Sequence, residues 1–482
     1  MANKYLLCNI LFWLKVLIAL LAAWIGLGYQ MVLIKQRREY ALAHPNEWVP
    51  PNPPGYVDIP LPGSWNSSLC AFEPVFDQTL GRTLARLEPP GADNFWFGFD
   101  LQWQVDSPKQ VIERLGHQPA IFNTFINMNR TQFEKDTIDW MAQQASEVGA
   151  MLEITVIPEL DVAEIPVETF YAFAMEMRRV NSYYGVPVFL RFMHEMNGNW
   201  LTAYGQQPIK FRNAFATMAQ YVHSLTNMTA MVWSPNIGTG YPYAGGSPAP
   251  PEEIASLLDT NQNGQLDNGD DPYMPYYPGD QYVDWVGISL YNLAYNDNDP
   301  NKHQTRPITP DFIPNQIRGF THNDTVHDYY GRFSIGLNKP FMMSETASFY
   351  AVYNSTKPGV TPGVVNQNPD TAHADEIAIK KSWWESILFN AIGRNNDASH
   401  DSNLWRNFKM AIWFEEVKVE QSFWSLEEWT ERDYHITYDK DGVTKAFLED
   451  VTANVLKFPV AWAGRWECEC TGHLKKNDEY KP

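Results

Sequence analysis

From residue 95 onward the chain alternates between short runs of apolar, β-branched and aromatic residues and longer stretches with helical spacing. This alternation limits the fold more than any other feature. The short runs cover 95–103, 120–128, 151–159, 188–195, 229–236, 283–292, 340–347 and 410–416. Helix-like stretches at 132–148, 167–184, 209–225 and 372–392 separate several of them. Strands joined through helices imply right-handed crossovers and a parallel sheet. Eight such strands closing on themselves make an α/β (β/α)8 TIM barrel, which needs only about 250 residues and so leaves this chain room for enlarged loops on one face. A doubly wound open sheet is the alternative, and the lack of a GxGxxG turn after the first run counts slightly against it.

Several runs end in polar or aromatic residues: Asp100, Asn127, Glu159, Glu195, Asn236, Tyr291, Glu345 and Glu415. In a barrel these ends share one face, where activity resides. The fourth run closes in RFMHEMNGNW, residues 191–200. Glu195 follows His194, an Asn-Gly turn comes next, and Trp200 completes the stretch. A carboxylate at a strand end beside an imidazole and an indole suits an acid that protonates a glycosidic oxygen while an aromatic face packs on a pyranose ring. A surface loop that happens to carry Glu195 is the plainer reading, and a second glutamate, Glu345 at the end of the seventh run, argues against it. The fourth and seventh strands of a barrel face each other across its mouth. Two carboxylates there can approach the ~5–5.5 Å of a retaining glycosidase, against ~6.5–9.5 Å for an inverting one.

At RFMHEMNGNW, VWSPN, DWVGISLYN and MSETAS the chain resembles glycoside hydrolase family 26, best known for endo-β-mannanases, over roughly residues 93–450. The resemblance implies Glu195 as acid/base and Glu345 as nucleophile. It further implies Arg191 and His194 bracing the site, Trp200 stacking at the cleavage point, Tyr291 hydrogen-bonded to the nucleophile, and Trp413 as the floor under the sugar. The match departs after Trp200, where Leu201, Thr202, Ala203 and Tyr204 follow, and after Glu345, where Thr346, Ala347 and Ser348 follow. β-Mannan is the first substrate it suggests, with other β-linked wall glucans and xylans next. A non-catalytic glycan-binding or wall-organising protein, or a transglycosylase using the same intermediate, would carry the same residues.

A twelve-residue loop, Asp259 to Asp270, has the pattern of a calcium loop: oxygen donors Asp259, Asn261, Asn263, Asp267 and Asp270 at positions 1, 3, 5, 9 and 12, Gln265 at 7, and Gly264 at 6. An Asx-rich turn is the plain alternative. The expected ion is structural, and no cofactor is expected for catalysis, since two carboxylates complete the reaction.

A net charge of -20 argues against nucleic acid, because a protein needs cations to displace the counterions around phosphates. The partners expected are a polysaccharide and, through the N-terminus, a membrane. Residues 16–34 are apolar apart from Gln30, and 19 such residues can cross a bilayer. An uncleaved anchor and a signal peptide cut near Gly26-Leu27-Gly28 are both readable, and the apolar run continuing to Ile34 favours the anchor. Lys35, Arg37 and Arg38 would place the following chain inside. Five N-glycosylation acceptors (Asn66, Asn129, Asn227, Asn323 and Asn354) place it outside, and they weigh more. Prolines 45, 50, 51, 53, 54, 60 and 62 make a spacer. The expected divisions are 1–38 for tail and anchor, 39–70 for the spacer, 71–466 for the barrel and 467–482 for a tail. Cys70 can pair with either Cys468 or Cys470, and Cys8 lies in the apolar N-terminus.

Overall fold

The computed structural model describes residues 95–455, except 244–245, 247–248, 296–303, 321, 323–324, 356–362, 365–368, 391–406, 422–428 and 440–441. It also describes Leu87 and short strands at 75–77, 82–84, 460–461, 465–468 and 474–477. Contacts divide the chain into Met1–Asp58 and Ile59–Pro482. The expected anchor and spacer, Cys8, Cys70, Cys470, Asn66 and Asn323 lie outside the described residues, as does the side chain of Asn354. Among the described residues no helix is long and apolar enough to cross a membrane.

Eight parallel strands close into a barrel: β1 (Phe95–Leu101), β2 (Ile121–Met128), β3 (Met151–Pro158), β4 (Val188–Phe192), β5 (Thr229–Trp233), β6 (Trp285–Tyr291), β7 (Phe341–Ala347) and β8 (Phe408–Glu415). Each pairs with the next, and β8 returns to β1 in register from Met410↔Trp96 to Glu415↔Leu101. The open-sheet alternative is thereby excluded. All eight runs read from the sequence are strands. Helices α1 (Pro108–Leu115), α2 (Lys135–Val148), α3 (Val167–Arg179), α4 (Pro208–Leu225), α5 (Pro369–Glu385) and α6 (Val443–Val455) accompany them. The expected helix at 167–184 is α3 plus a wider turn, Val180–Tyr184.

Side chains alternate across a strand, so each strand feeds two cores. Trp96, Ile121, Met151, Phe189, Ala230, Val232, Trp285, Met342, Met410 and Ile412 fill the barrel interior as one apolar cluster. Phe97, Phe99, Leu152, Ile154, Leu190, Met231, Ile288, Met343, Ala411 and Trp413 belong to the outer core that also takes in helix residues such as Phe170, Phe215 and Phe447. Further along six of the strands, two residues beyond the apolar interior layer or four where Gly98 or Gly287 intervenes, the inward positions become polar. They are Asp100, Asn123, Glu153, Arg191, Ser234 and Ser289, all buried. The apolar layer closes the barrel and the polar layer meets its mouth.

Two local features set what the mouth presents. β6 and β7 pair Ile288 with Met343 but Ser289 with Glu345, so Ser344 is an extra residue in β7. A bulge shifts the alternation by one and re-aims the following side chain. Counting by twos from inward Met342 would send Glu345 outward; the bulge turns it to the face of Ser289. Room for Ser344 comes from Gly287, where a Cβ would lie 2.1 Å from the Ser344 Oγ. After β4 the chain leaves the strand through Met193 (φ 58°) and Glu195 (φ 52°), left-handed conformations that L side chains adopt at a cost.

Beyond the strand ends, Tyr350–Ser355, Gly363–Val364, Val417–Gln421 and Trp429–Asp433 form an antiparallel sheet rooted in the ends of β7 and β8. Not every expected strand end reaches the mouth. Asn127 and Glu159 are exposed, and Glu415 is buried, accepting the backbone N–H groups of Ile436 at 2.9 Å and Thr437 at 2.7 Å. It caps a loop.

Candidate active site

Glu345 on β7 is gripped by two donors. Arg191 from β4 gives Nη1 to Oε2 at 2.6 Å, and Tyr291 from the end of β6 gives its hydroxyl to Oε1 at 2.5 Å. Arg191 is itself fixed: Nε donates to Ser234 Oγ at 3.1 Å and Nη2 to Ser289 Oγ at 2.5 Å. None of its surface reaches solvent, whereas Glu345 and Glu195 each keep 8 % exposed, so a molecule in the mouth can meet the carboxylates but not the guanidinium.

Glu195 is held differently. Its Oε1 accepts from Asn236 Nδ2 at 2.9 Å, and its Oε2 accepts from the Trp200 indole N–H at 2.9 Å. Its backbone is pinned by its own N–H to Ser234 O at 2.8 Å. Asn197 ties the same turn to the end of β5, accepting from Asn236 N at 2.8 Å and donating to Asn236 O at 2.9 Å. Trp200 leans edge-on against Tyr243, with ring centroids 5.1 Å apart, and remains 43 % exposed. It is an open aromatic surface touching the proposed acid.

The two carboxyls are driven in opposite directions. Burial pushes Glu345 up, but Arg191 above all, with Lys418 and the Tyr291 hydroxyl, more than offsets it and holds the group at about 2. Burial and then the charge on Glu345 raise Glu195 above the usual carboxylate range, against Arg191 and Asn236. His194 is depressed to about 3 by burial and then by Arg191, so its imidazole is neutral. Its ring meets Phe125 edge-on with centroids 5.7 Å apart, and its carbonyl accepts from the Tyr204 hydroxyl at 3.0 Å. It shapes the turn that presents Glu195.

The residues read from the sequence thus converge, with one correction. Arg191, His194, Glu195, Trp200, Tyr291 and Glu345 come together; Trp413 does not. It is fully buried, its indole N–H donates to Tyr434 O at 2.8 Å, and its register partners are Phe99 and Thr346. Those partners lie on the outer face, where the Trp383 indole of α5 donates to Thr346 Oγ1 at 2.9 Å. Alternation therefore sends Trp413 toward the helices, away from any sugar. The aromatics that meet the Tyr291 ring are Phe414, with centroids 5.9 Å apart, and Tyr434, at 5.7 Å. Phe414, the Ser234–Ser289 brace and Lys418 were not singled out from the sequence. Neither was Glu153, a buried carboxyl raised first by burial and drawn down by Arg191. Only the inward phase of each strand could have pointed to them.

The Asp259–Asp270 loop folds on itself. Asp259 accepts from Asn263 N at 3.0 Å and Gly264 N at 2.8 Å, and Gly264 has the positive φ of 85° that the sharp turn needs. Asn263 Oδ1 accepts from Gln265 N at 2.9 Å, and Asn263 and Asn261 donate to Asp267 at 2.7 and 3.3 Å. Asp270 is buried and ties the loop ends, accepting from Thr260 N at 2.7 Å and Asp267 N at 2.9 Å. Among the described residues no three His, Cys, Asp or Glu side chains gather into a metal cage.

No family model and no curated protein matches the chain. Among solved structures it is similar to an endo-β-1,4-mannanase double mutant from Cellulomonas fimi, at 15 % identity and TM-score 0.42, over 77 % of this chain and 73 % of that one. It is also similar to a family 26 β-mannanase from Bacteroides ovatus, at 12 % identity and TM-score 0.43, over 81 % and 95 %. A third is GH26C from Muricauda sp. MAR_2010_75, at 13 % identity and TM-score 0.42, over 82 % and 91 %. At such similarity the chemistry must come from this chain's own side chains.

Proposed function

We propose that this chain is a retaining β-glycanase acting on β-mannan or a related β-linked polysaccharide. One observation carries the reading: two carboxyls at one barrel mouth are driven in opposite directions, Glu345 held low by Arg191 and Tyr291, Glu195 raised by burial and by Glu345. A double displacement needs that pair. In the first step a Glu345 oxygen forms a bond to the anomeric carbon while the glycosidic C–O bond breaks and Glu195 gives its proton to the leaving oxygen. The glycosyl ester neutralises Glu345, which removes a charge that had raised Glu195. Glu195, now ionised, takes a proton from water as the water oxygen attacks the anomeric carbon, and Glu345 leaves as the carboxylate. A sugar hydroxyl in place of water gives transfer. Trp200, exposed and bonded to Glu195, offers the ring a platform at the cleavage point.

The test is a panel of mannan, xylan and mixed-linkage glucan, with products read for hydrolysis and transfer and the first-formed anomer followed by NMR. Retention at the anomeric carbon is the expected result. Binding to any of the three without product release would favour a non-catalytic glycan-binding protein.

Two further parts belong to the same proposal. The hard oxygen donors Asp259, Asn261, Asn263, Gln265 and Asp267, with Asp270 closing the loop, suit a structural calcium ion. Residues 16–34 anchor the chain in a membrane with the barrel on the lumenal or extracellular side, or are cleaved to release it; alkaline extraction of the full-length chain and N-terminal sequencing separate the two.

A further inference from the structure

Lys418 stands where the proposed chemistry has no other use for a cation. It lies on Val417–Gln421, the strand that leaves β8 directly and folds back over the barrel's end, paired with Trp429–Asp433. Its neighbours in that strand alternate: Val419 is 55 % exposed, while Glu420 accepts from Arg432 on the sheet's inner side. Lys418 shares the phase of Glu420 and is half-buried. Its Nζ sits 4.1 Å from the centroid of the Phe414 ring, the ring that meets Tyr291, which in turn holds Glu345. Its charge is felt by Glu416, two residues before it, and also by Asp100 of β1, His194 after β4 and Glu345 of β7. With the Phe414 ring between it and Tyr291, the ammonium stands on the Glu345 side of the mouth.

The ammonium carries three N–H donors, and among the described residues it has no hydrogen-bond acceptor and no ion-pair partner within bonding distance; its one close contact is the ring face. Compare the protein's other strongly placed cations. Arg191 donates to Ser234, Ser289 and Glu345, and Lys380 to Glu376 and the His435 carbonyl. A half-buried ammonium held on an aromatic face with its donors unmatched is set for acceptors that arrive from outside. A pyranose seated against Glu345 brings hydroxyl oxygens to that place.

We propose that Lys418 is a substrate-binding residue that fixes the sugar on the nucleophile side of the mouth by donating to its ring hydroxyls, and so sets which hydroxyl pattern is accepted there. This rests on the glycanase reading. Lys418 touches substrate and takes no proton in either step. Phe414 carries the ammonium, and the short strand after β8 delivers it.

The experiment uses the full chain and a defined β-linked oligosaccharide that the wild type hydrolyses, together with its mono-deoxy analogues at the residue bound beside Glu345. Lys418→Met is expected to lower kcat/KM by about 10- to 100-fold with an unchanged thermal midpoint, and Lys418→Arg to recover part of it. One deoxy analogue should be hydrolysed equally well by wild type and Lys418→Met, because the hydroxyl it lacks is the one Lys418 holds. A merely structural lysine would leave every analogue penalised alike in both proteins. Lys418→Met within twofold of wild type, or no analogue that abolishes the difference, overturns the assignment. Wild type that hydrolyses none of the panel overturns the glycanase reading instead, and circular dichroism of the variant separates misfolding from lost binding.

Discussion

Arg191 Nη1 and Glu345 Oε2 meet at 2.6 Å across the interior, one from β4 and one from β7, and the guanidinium has no solvent of its own. A buried ion pair is a weak source of net stability, because both charges lose their hydration. Its value here is chemical. The pair holds one carboxyl low while burial and that same charge raise the other, and Ser234 and Ser289 accept from the guanidinium and fix it toward Glu345.

Glu345→Gln is expected to bring turnover to background, and Glu195→Gln to lower it by about 10²–10⁴-fold on polysaccharide. Only Glu195→Gln should retain activity on an aryl glycoside whose leaving group needs no proton. Steady-state rates on both substrate types check this, with thermal midpoints showing that both variants fold. Wild-type rates in either variant would remove that residue from the reaction.

The pH profile of kcat/KM should be a bell reporting the coupled pair. Its acid limb follows ionisation of the Glu345 side, held down to about 2, and its alkaline limb follows deprotonation of Glu195, raised above its usual 4.5. The linkage to stability has two signs. Glu345, depressed in the folded state, contributes stability above about pH 4.5 that is lost as pH falls toward 2. Glu195, raised in the folded state, contributes stability below 4.5 that is lost as pH rises through its folded value.

Arg191→Met removes the largest influence opposing burial at Glu345. The acid limb should move to higher pH, and breaking the buried pair should cost about 3–5 kcal/mol in urea unfolding. A profile that keeps its acid limb would mean that Arg191 does not set the ionisation of Glu345.

Gly287→Ala puts a Cβ against the Ser344 Oγ at 2.1 Å, where backbone and bulge must shift. A loss of about 1–3 kcal/mol is expected, with turnover reduced because Glu345 follows the bulge. Adding Ser344→Ala should recover part of both losses, a coupling readable in a double-mutant cycle. Independent effects would count against the bulge as the device that aims Glu345.

Calcium should raise the thermal midpoint and a chelator lower it, since an ion that binds only the folded loop stabilises by mass action. Asp259→Ala should abolish the response while leaving turnover at low temperature. Equal midpoints in calcium and chelator would leave the loop as an Asx-rich turn, as its internal hydrogen bonds already allow.

The eight strand runs were legible because a parallel sheet buries both faces, so its strands read as continuous apolar stretches whatever their order in space. The ends carrying Glu195, Tyr291 and Glu345 were legible for the same reason: polarity breaks the run where the barrel opens. What a linear chain does not carry is the phase of each strand about its own axis. Trp413 and Phe414 are equally aromatic neighbours, and only the closed register with Phe99 and Thr346 sends the first to the helices and leaves the second beside Tyr291. The same holds for Glu345, whose inward aim depends on one extra residue at Ser344 and on the space left by Gly287. Local composition determined that there would be eight buried strands with polar or aromatic residues at their ends, Glu195 and Glu345 among them. Closure of the barrel, with one bulge in it, decided which side chains face the opening, because a side chain's face depends on hydrogen-bond register with strands far away in sequence.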